Sequence, residues 1–178
     1  MLKFFIFYLI SCCFSFGAVF SFEQGTNLTS SYDISQTINV EFNNYGNYGL
    51  LTLSNSGIGS INDIYINSSN TTSISLVSQV GANFSLTGNP ARPPNNISSF
   101  TYTHSLESSA PQKVSGLENG DSLTFRMNYG GFQNFNLAVG ANLPDKKIDG
   151  YIANIPEPSF SLLGIISTVL FCFRRFRK

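Results

Sequence analysis

Residues 38–54 read INVEFNNYGNYGLLTLS, and their pattern indicates the architecture of the whole central region. Apolar side chains occupy every second position on both sides of a turn rich in asparagine and glycine: Ile38, Val40 and Phe42 before it, Leu51 and Leu53 after it. Alternate residues of a β-strand point to opposite faces, so this period places one face against a core and the other in water. The stretch therefore predicts two half-buried strands joined by a turn.

The same alternation recurs along the central region, around Ile64–Ile66, Ile74–Leu76, Phe100–Tyr102, Leu123–Met127 and Phe135–Val139. Turn-forming runs such as SNSGIGS, TGNPARPPNN and LENGD separate these stretches, and no window shows a sustained helical period. We therefore predict an all-β fold, an antiparallel β-sandwich of either jelly-roll or immunoglobulin-like type. The predicted core comprises Ile38, Val40, Phe42, Leu51, Leu53, Ile64, Ile66, Leu123, Phe125 and Met127.

The N-terminal segment resembles a secretory signal peptide. It reads MLKFFIFYLISCCFSFGAVFSF, with Lys3 followed by an apolar run to about Phe14 and then smaller residues. Small side chains allow cleavage after Gly17 or after Ser21, and an uncleaved membrane helix or a buried helix is the alternative. We predict a signal peptide at 1–21 and an extracellular β-sandwich domain at 22–154.

The charges and cysteines of the central region differ from those of the two ends. All ten acidic residues lie between Glu23 and Glu157, together with only five of the ten basic residues, so that region carries a net charge of −5. An acidic domain argues against a nucleic-acid partner. The three cysteines, Cys12, Cys13 and Cys172, lie in the apolar ends, which leaves no disulfide framework or thiolate metal site between them.

Catalytic motifs are missing from the sequence, and we predict neither an enzyme nor a cofactor. The single histidine, His104, follows Phe100 and Tyr102 at a strand period, which indicates a half-buried strand residue. A catalytic triad would require a nucleophile and an acid beside it. A carboxylate pair for glycoside hydrolysis could be drawn from Glu107, Glu118 and Asp121, but Glu118 and Asp121 lie in a turn-like stretch.

Two kinds of ligand remain open for the domain. Residues 62–70, NDIYINSSN, and residues 145–149, DKKID, supply oxygen atoms for calcium, although neither matches an EF-hand and turn residues of this type commonly bond their own backbone. We therefore predict no metal site. Three tyrosines near glycine- and asparagine-rich turns, Tyr45, Tyr48 and Tyr129, could stack on sugars.

The chain ends with a short apolar segment and a basic cluster. Phe160–Phe173 contains fourteen residues, and at about 1.5 Å per residue a helix of this length spans roughly 21 Å, less than the ~30 Å hydrocarbon core. Arg174 and Arg175 can extend its reach, and cations favour the cytoplasmic side. We predict one C-terminal transmembrane helix, with the β domain outside. The basic end distinguishes the tail from a glycolipid-anchor signal.

The tail resembles the PEP-CTERM sorting signal. Its parts occur in the family's order: Pro156, Glu157 and Pro158, then the apolar segment, then the basic stop formed by Arg174, Arg175, Arg177 and Lys178. The stretches LLTLSNSGIGSINDIYI, GLENGDSLTF and KIDGYIANI also resemble one group of PEP-CTERM ectodomains. The resemblance implies a sorting signal at 155–178, export across the inner membrane, and cleavage by the membrane protease-transpeptidase exosortase.

The sequence thus predicts an exported surface or extracellular-matrix protein that resides in the inner membrane only as a precursor. The resemblance implies exosortase as a partner and extracellular polysaccharide as a candidate partner, while the activity of the β domain stays open. The alternative is a carbohydrate- or calcium-binding adhesion module that its C-terminal helix anchors permanently.

Overall fold

The computed structural model describes residues 17–25, 29–86, 92–109, 116–130 and 135–154, and it is built almost entirely from β-strands. The strands are β1 (Gly17–Val19), β2 (Ser21–Gln24), β3 (Ile38–Asn44), β4 (Tyr48–Asn55), β5 (Ser60–Asn67), β6 (Thr71–Val80), β7 (Phe84–Leu86), β8 (His104–Ser108), β9 (Ser122–Tyr129), β10 (Asn136–Asn142) and β11 (Ile148–Asn154). A 3₁₀ helix, Asn95–Ile97, is the one helix in these ranges.

The strands form two antiparallel sheets packed as a sandwich, so the all-β sandwich predicted from the sequence is confirmed. One sheet has the order β1-β3-β4-β9-β6, in which the three-residue β1 extends a sheet of four longer strands. The other has the order β2-β11-β10-β5-β8-β7. The chain passes from the first sheet to the second between β1 and β2, since Val19 pairs with β3 whereas Ser21 pairs with β11.

Three strand pairs are nested along the chain. β7 pairs with β8, β6 with β9, and β5 with β10, so residues 60–142 run as one long antiparallel ribbon folded across both sheets. Four of the five connections within this ribbon cross from one sheet to the other, and only β7 and β8 are consecutive neighbours. Pairing therefore depends mainly on contacts between residues far apart in the sequence.

The predicted core is confirmed residue by residue. All ten predicted side chains are buried between the sheets, and the most exposed of them, Phe42, shows only 7% of its surface. The outer faces of β3 and β9 carry the polar alternates, as the period of two requires. The alternation of apolar residues was sufficient to predict these core side chains because each of their strands has one face in the core.

The predicted strand around Phe100 and Tyr102 is wrong. β8 begins only at His104, and the preceding residues form a turn in which the Phe100 amide donates to the Ile97 carbonyl at 2.9 Å. Phe100 and Tyr102 instead pack against the outer face of the six-stranded sheet. Both aromatic side chains are therefore partly buried, although their backbone pairs with no strand.

A buried carboxylate joins the two ends of the domain. Asp149 in β11 is fully buried and accepts hydrogen bonds from the Thr29 amide at 3.1 Å, the Thr29 hydroxyl at 2.7 Å and the Ser30 amide at 3.0 Å. Hydrogen bonds to an ionised acceptor are worth more than neutral ones. Asp149 thus fixes the segment that leads into Ile34, a fully buried core residue, against the last hairpin.

We expect Asp149→Ala to lower the free energy of unfolding by roughly 3 kcal/mol, because it leaves the buried Ser30 amide and the part-buried donors of Thr29 without their acceptor. Urea denaturation followed by tyrosine fluorescence measures this loss. Glu41→Ala, which removes an exposed carboxylate from β3, is the matched control and should change stability by less than about 0.5 kcal/mol. Equal effects of the two substitutions would contradict the role given to Asp149.

Candidate functional site

The predicted sorting motif lies outside the described residues. β11 ends at Asn154, two residues before Pro156, so the placement of Pro156, Glu157 and Pro158 and of the basic cluster Arg174, Arg175, Arg177 and Lys178 is not described. Within the described ranges, no helix is long and apolar enough to cross a membrane, and the predicted span at 160–173 is not part of those ranges. The side chains whose geometry the structure describes are those of the sandwich.

His104 lies half-buried in β8, as predicted. Its Nδ1 atom is 2.9 Å from the hydroxyl of Thr103, and burial lowers the pKa of the imidazole below its ordinary value. Ile66 is its cross-strand partner. The described neighbours of the ring are thus the Thr103 hydroxyl and the apolar side chain of Ile66. Neither is the acid that a catalytic triad places beside its histidine.

The carboxylates considered for glycoside hydrolysis do not lie together. Asp121 accepts a hydrogen bond from the Glu118 amide at 2.9 Å, so these two residues close their own turn, in which Gly120 has a positive φ of 90°. Glu107 lies instead in β8, directly opposite Asp63 of β5. No local pattern in the sequence indicates the pairing of Glu107 with Asp63.

The carboxylates of residues 145–149, considered from the sequence as calcium ligands and interpreted as turn residues, already have protein partners. Asp145 accepts from the Ser30 hydroxyl at 2.8 Å and from the Lys147 amide at 3.3 Å, and it forms an ion pair with Lys147 at 3.7 Å. Asp149 holds Thr29 and Ser30, as described above. Asp145 thus fits the turn interpretation, whereas Asp149 bonds a segment about 120 residues away.

Asp63 lies on the outer face of the six-stranded sheet, next to a β-bulge in β5. Opposite β10, Asp63 pairs with Gly140 and Ile61 with Ala141, which leaves Asn62 as the extra residue. Tyr65, two positions further, belongs to a small apolar cluster with Ile97 that is separate from the main core. Asp63 and Tyr65 therefore share the face of the sheet that points away from the core.

Residues 93–103, the covering segment, lie across this outer face. The Asn96 side chain donates to the Gly150 carbonyl at 2.9 Å and accepts from the Gly150 amide at 2.8 Å, which imitates a strand pairing. Ile97 fills the space that a side chain on Gly150 would need. The rings of Tyr65 and Tyr102 meet with centroids 5.2 Å apart. The covering segment thus buries the second face of β5.

Two carboxylates and a phenol share this covered face. Burial, and next the nearby charge of Glu107, raise the pKa of Asp63 to about 6. Burial, and next the charge of Asp63, raise the pKa of Tyr65 well above its ordinary value. The Oδ1 atom of Asp63 and the hydroxyl of Tyr65 are buried without a hydrogen-bond partner. In the described ranges, however, no group of three or more histidine, cysteine, aspartate or glutamate side chains converges.

An aromatic stack lies at the β3–β4 turn. The Tyr45 and Tyr48 rings are stacked with centroids 4.9 Å apart and planes 14° apart, and the Arg126 guanidinium lies 3.8 Å from the centroid of Tyr48. Arg126 is held by its donation to Asn128 at 2.8 Å. Tyr45 is 52% exposed, so it presents a fixed aromatic surface to solvent. Tyr129, the third predicted sugar-stacking residue, is instead buried in the core.

A groove of about 510 Å³ opens at one end of the sandwich, between the loops that follow β4, precede β9 and follow β10. Its lining includes Ile58, Gly59, Glu118 and Lys146. This lining of glycine backbone, apolar and polar side chains and two opposite charges does not specify a reaction or a ligand class.

We expect Asp63→Asn to remove a pH dependence of the free energy of unfolding that the wild type shows when no metal ion is present. The folded-state pKa of Asp63, about 6, exceeds the ordinary 3.8. Its stabilising contribution is therefore complete below pH 3.8 and disappears as the pH rises through about 6. Between pH of about 4 and about 7, the free energy of unfolding of the wild type should fall relative to Asp63→Asn by on the order of 2–3 kcal/mol.

Urea unfolding at several pH values in EDTA tests this expectation. Glu41→Gln, which alters an exposed carboxylate on the other sheet, should retain the wild-type pH profile. Parallel profiles for the wild type and Asp63→Asn would show that Asp63 titrates normally.

Comparison with known proteins shows no family for this chain. No family model matches the sequence, no curated protein matches it, and no solved structure matches its fold. The function therefore has to be argued from the sequence of the tail and from the contacts within the domain.

Proposed function

We propose that the chain is an exported surface or extracellular-matrix protein whose residues 155–178 are a PEP-CTERM sorting signal. The observation that carries the proposal is the order of Pro156-Glu157-Pro158, fourteen apolar residues and the basic stop, which begins two residues after β11 ends. Proline cannot donate to a sheet and keeps its neighbour extended. The motif is thus suited to enter a protease as an extended chain, and exosortase is the proposed partner.

The pairing of β2 with β11 supports a precursor held at the membrane by both ends. Ser21 pairs with Asn154, so the start of β2 and the end of β11 lie side by side at one edge of the six-stranded sheet. In the sequence, the apolar N-terminal run ends about seven residues before Ser21, and the apolar C-terminal segment begins six residues after Asn154. These short separations support a precursor held at the inner membrane by both segments, with the sandwich on its outer side.

Of the two signal-peptide cleavage positions, the one after Gly17 is compatible with the sandwich. Phe20 is only 4% exposed and contacts Phe135, with ring centroids 5.9 Å apart. A cut after Ser21 would remove Phe20 and β1, and losing one buried phenylalanine alone costs about 3–5 kcal/mol. We therefore propose a signal peptide at 1–17 and a mature protein that begins at Ala18, rather than the boundary at residue 21.

For the strand topology, we propose the jelly-roll type over the immunoglobulin-like type. The support is the nesting of the pairs β7–β8, β6–β9 and β5–β10 along a ribbon that crosses repeatedly between the sheets. Immunoglobulin domains instead take consecutive strands into the same sheet more often. The role proposed for this sandwich is structural or adhesive rather than catalytic, in association with extracellular polysaccharide.

We expect Glu157→Ala to retain the full-length chain in the inner membrane of a host that has exosortase. Glu157 is the one charge within the motif, and a hydrogen bond to a charged group contributes about 1.5–3 kcal/mol, so the processed fraction should fall roughly tenfold or more. Immunoblotting of membrane and extracellular fractions measures it. Glu118→Ala, at an exposed turn residue of the sandwich, should be processed normally. Normal processing of Glu157→Ala would contradict the proposal.

The aromatic stack favours a second candidate, a carbohydrate-binding adhesion module. Tyr48 fixes Tyr45, and Arg126 supports Tyr48, so a sugar ring could stack on Tyr45 without ordering a side chain first. The neighbours on this face include the amide of Asn43 and the hydroxyl of Thr52, which suit sugar hydroxyl groups.

Tyr45→Ala should weaken binding to extracellular polysaccharide from the producing strain roughly three- to tenfold, the worth of one aromatic stacking contact. Co-sedimentation of the exported protein with that polysaccharide measures the change. Tyr32→Ala, at a tyrosine that is 39% exposed elsewhere, should bind as the wild type does. Equal binding by both variants would exclude the stack as the contact.

A further inference from the structure

We propose that Asp63 and Glu107, together with the hydroxyl of Tyr65, bind one calcium ion beneath the covering segment. The site lies on the outer face of the six-stranded sheet, where β5 and β8 run side by side. It goes beyond the sorting function, because it concerns the folded domain alone.

Two like charges lie opposite each other on this face of the sheet. Asp63 and Glu107 are direct cross-strand partners, and such residues have their Cβ atoms about 4.5–5.5 Å apart on the same face. Like charges directly opposite each other destabilise a sheet. A cation between the two carboxylates reverses the sign of that interaction.

Two buried polar atoms on the same face, in Tyr65 and Asp63, have no hydrogen-bond partner. Tyr65 has no exposed surface, and its hydroxyl has no hydrogen-bond partner. The Oδ1 atom of Asp63 is buried and without a partner as well. An unsatisfied buried polar group costs about 1–3 kcal/mol, so two on one strand face indicate a ligand that both atoms contact.

Asp63 also lies close to both β10 and the covering segment. A Cβ atom on Gly140 would lie 3.2 Å from Oδ2 of Asp63 and 3.2 Å from Cγ of Pro94. The missing side chain at Gly140 thus lets the carboxylate approach β10. A bulge at Asn62 directly precedes Asp63, and bulges are frequent beside functional sites.

The donor atoms select the kind of ion. Carboxylate and phenol oxygens are hard ligands, and the cluster holds no histidine or cysteine, which favours calcium over zinc. Calcium takes six to eight oxygen ligands, so water completes the shell that three side chains begin. A site with two carboxylates belongs to the weak class of extracellular modules, with a dissociation constant on the order of 10⁻⁴–10⁻³ M.

Calcium chloride titrated into the EDTA-treated full chain in non-ionic detergent tests the proposal, with heat of binding and melting temperature as readouts. The wild type should bind in that range, and saturation should raise the melting temperature by about 5 °C or more. Asp63→Asn and Glu107→Gln should each weaken binding at least tenfold. Gly140→Ala, whose methyl group would crowd Oδ2 of Asp63, should weaken it while both carboxylates remain.

Glu41→Gln is the control and should bind as the wild type does, because its carboxylate lies on the other sheet. If a carboxylate variant fails to fold by circular dichroism, Gly140→Ala decides. A wild type that shows no heat and no change in melting temperature at about tenfold above the expected constant would overturn the proposal. Undiminished binding by the folded site variants, or an equal loss in Glu41→Gln, would overturn it as well.

Discussion

The burial of β5 on both faces is the constraint on which much of this structure depends. Its inner face contributes Ile64 and Ile66 to the core, and its outer face is closed by the covering segment. Antiparallel sheets commonly keep one face in water, whereas this strand and its neighbour β10 are buried on both faces. The carboxylate of Asp63 therefore loses part of its solvent, and its pKa rises for that reason.

The covering segment is held in place by hydrogen bonds to residues that lie far from it in the sequence. Asn96 bonds Gly150 of β11, and Thr103 bonds Ile66 of β5, so the segment bridges two strands that β10 separates. Asp149, the residue before Gly150, ties the same strand to Thr29 and Ser30. β11 is thus the strand at which the covering segment, the N-terminal segment and the start of the proposed sorting tail converge.

The alternation of residues within single strands predicted which side chains lie in the core. It could not predict features that depend on strand register and on contacts between distant residues. Ten core residues could be read directly because apolar side chains occupy every second position of their strands, on the face that points into the core. The short strands β1, β2 and β7 have too few residues to show a period, and the aromatic alternation at Phe100 and Tyr102 marked a packed turn rather than a strand. The pairing of Asp63 with Glu107 follows from strand neighbours 44 positions apart, and nothing in either local stretch signals it. The tail could be read only through its motif order.

The central claim is that the protein is exported and sorted through its C-terminal tail. The intact mass of the exported protein tests this claim most directly. The chain should be expressed in two strains that differ only in exosortase, and the secreted or surface-exposed form weighed by mass spectrometry. The account predicts, in the strain with exosortase, a protein that begins at Ala18 and lacks residues 160–178, and in the other strain a membrane-bound form that retains them. A surface form that keeps residues 160–178 in both strains would contradict it.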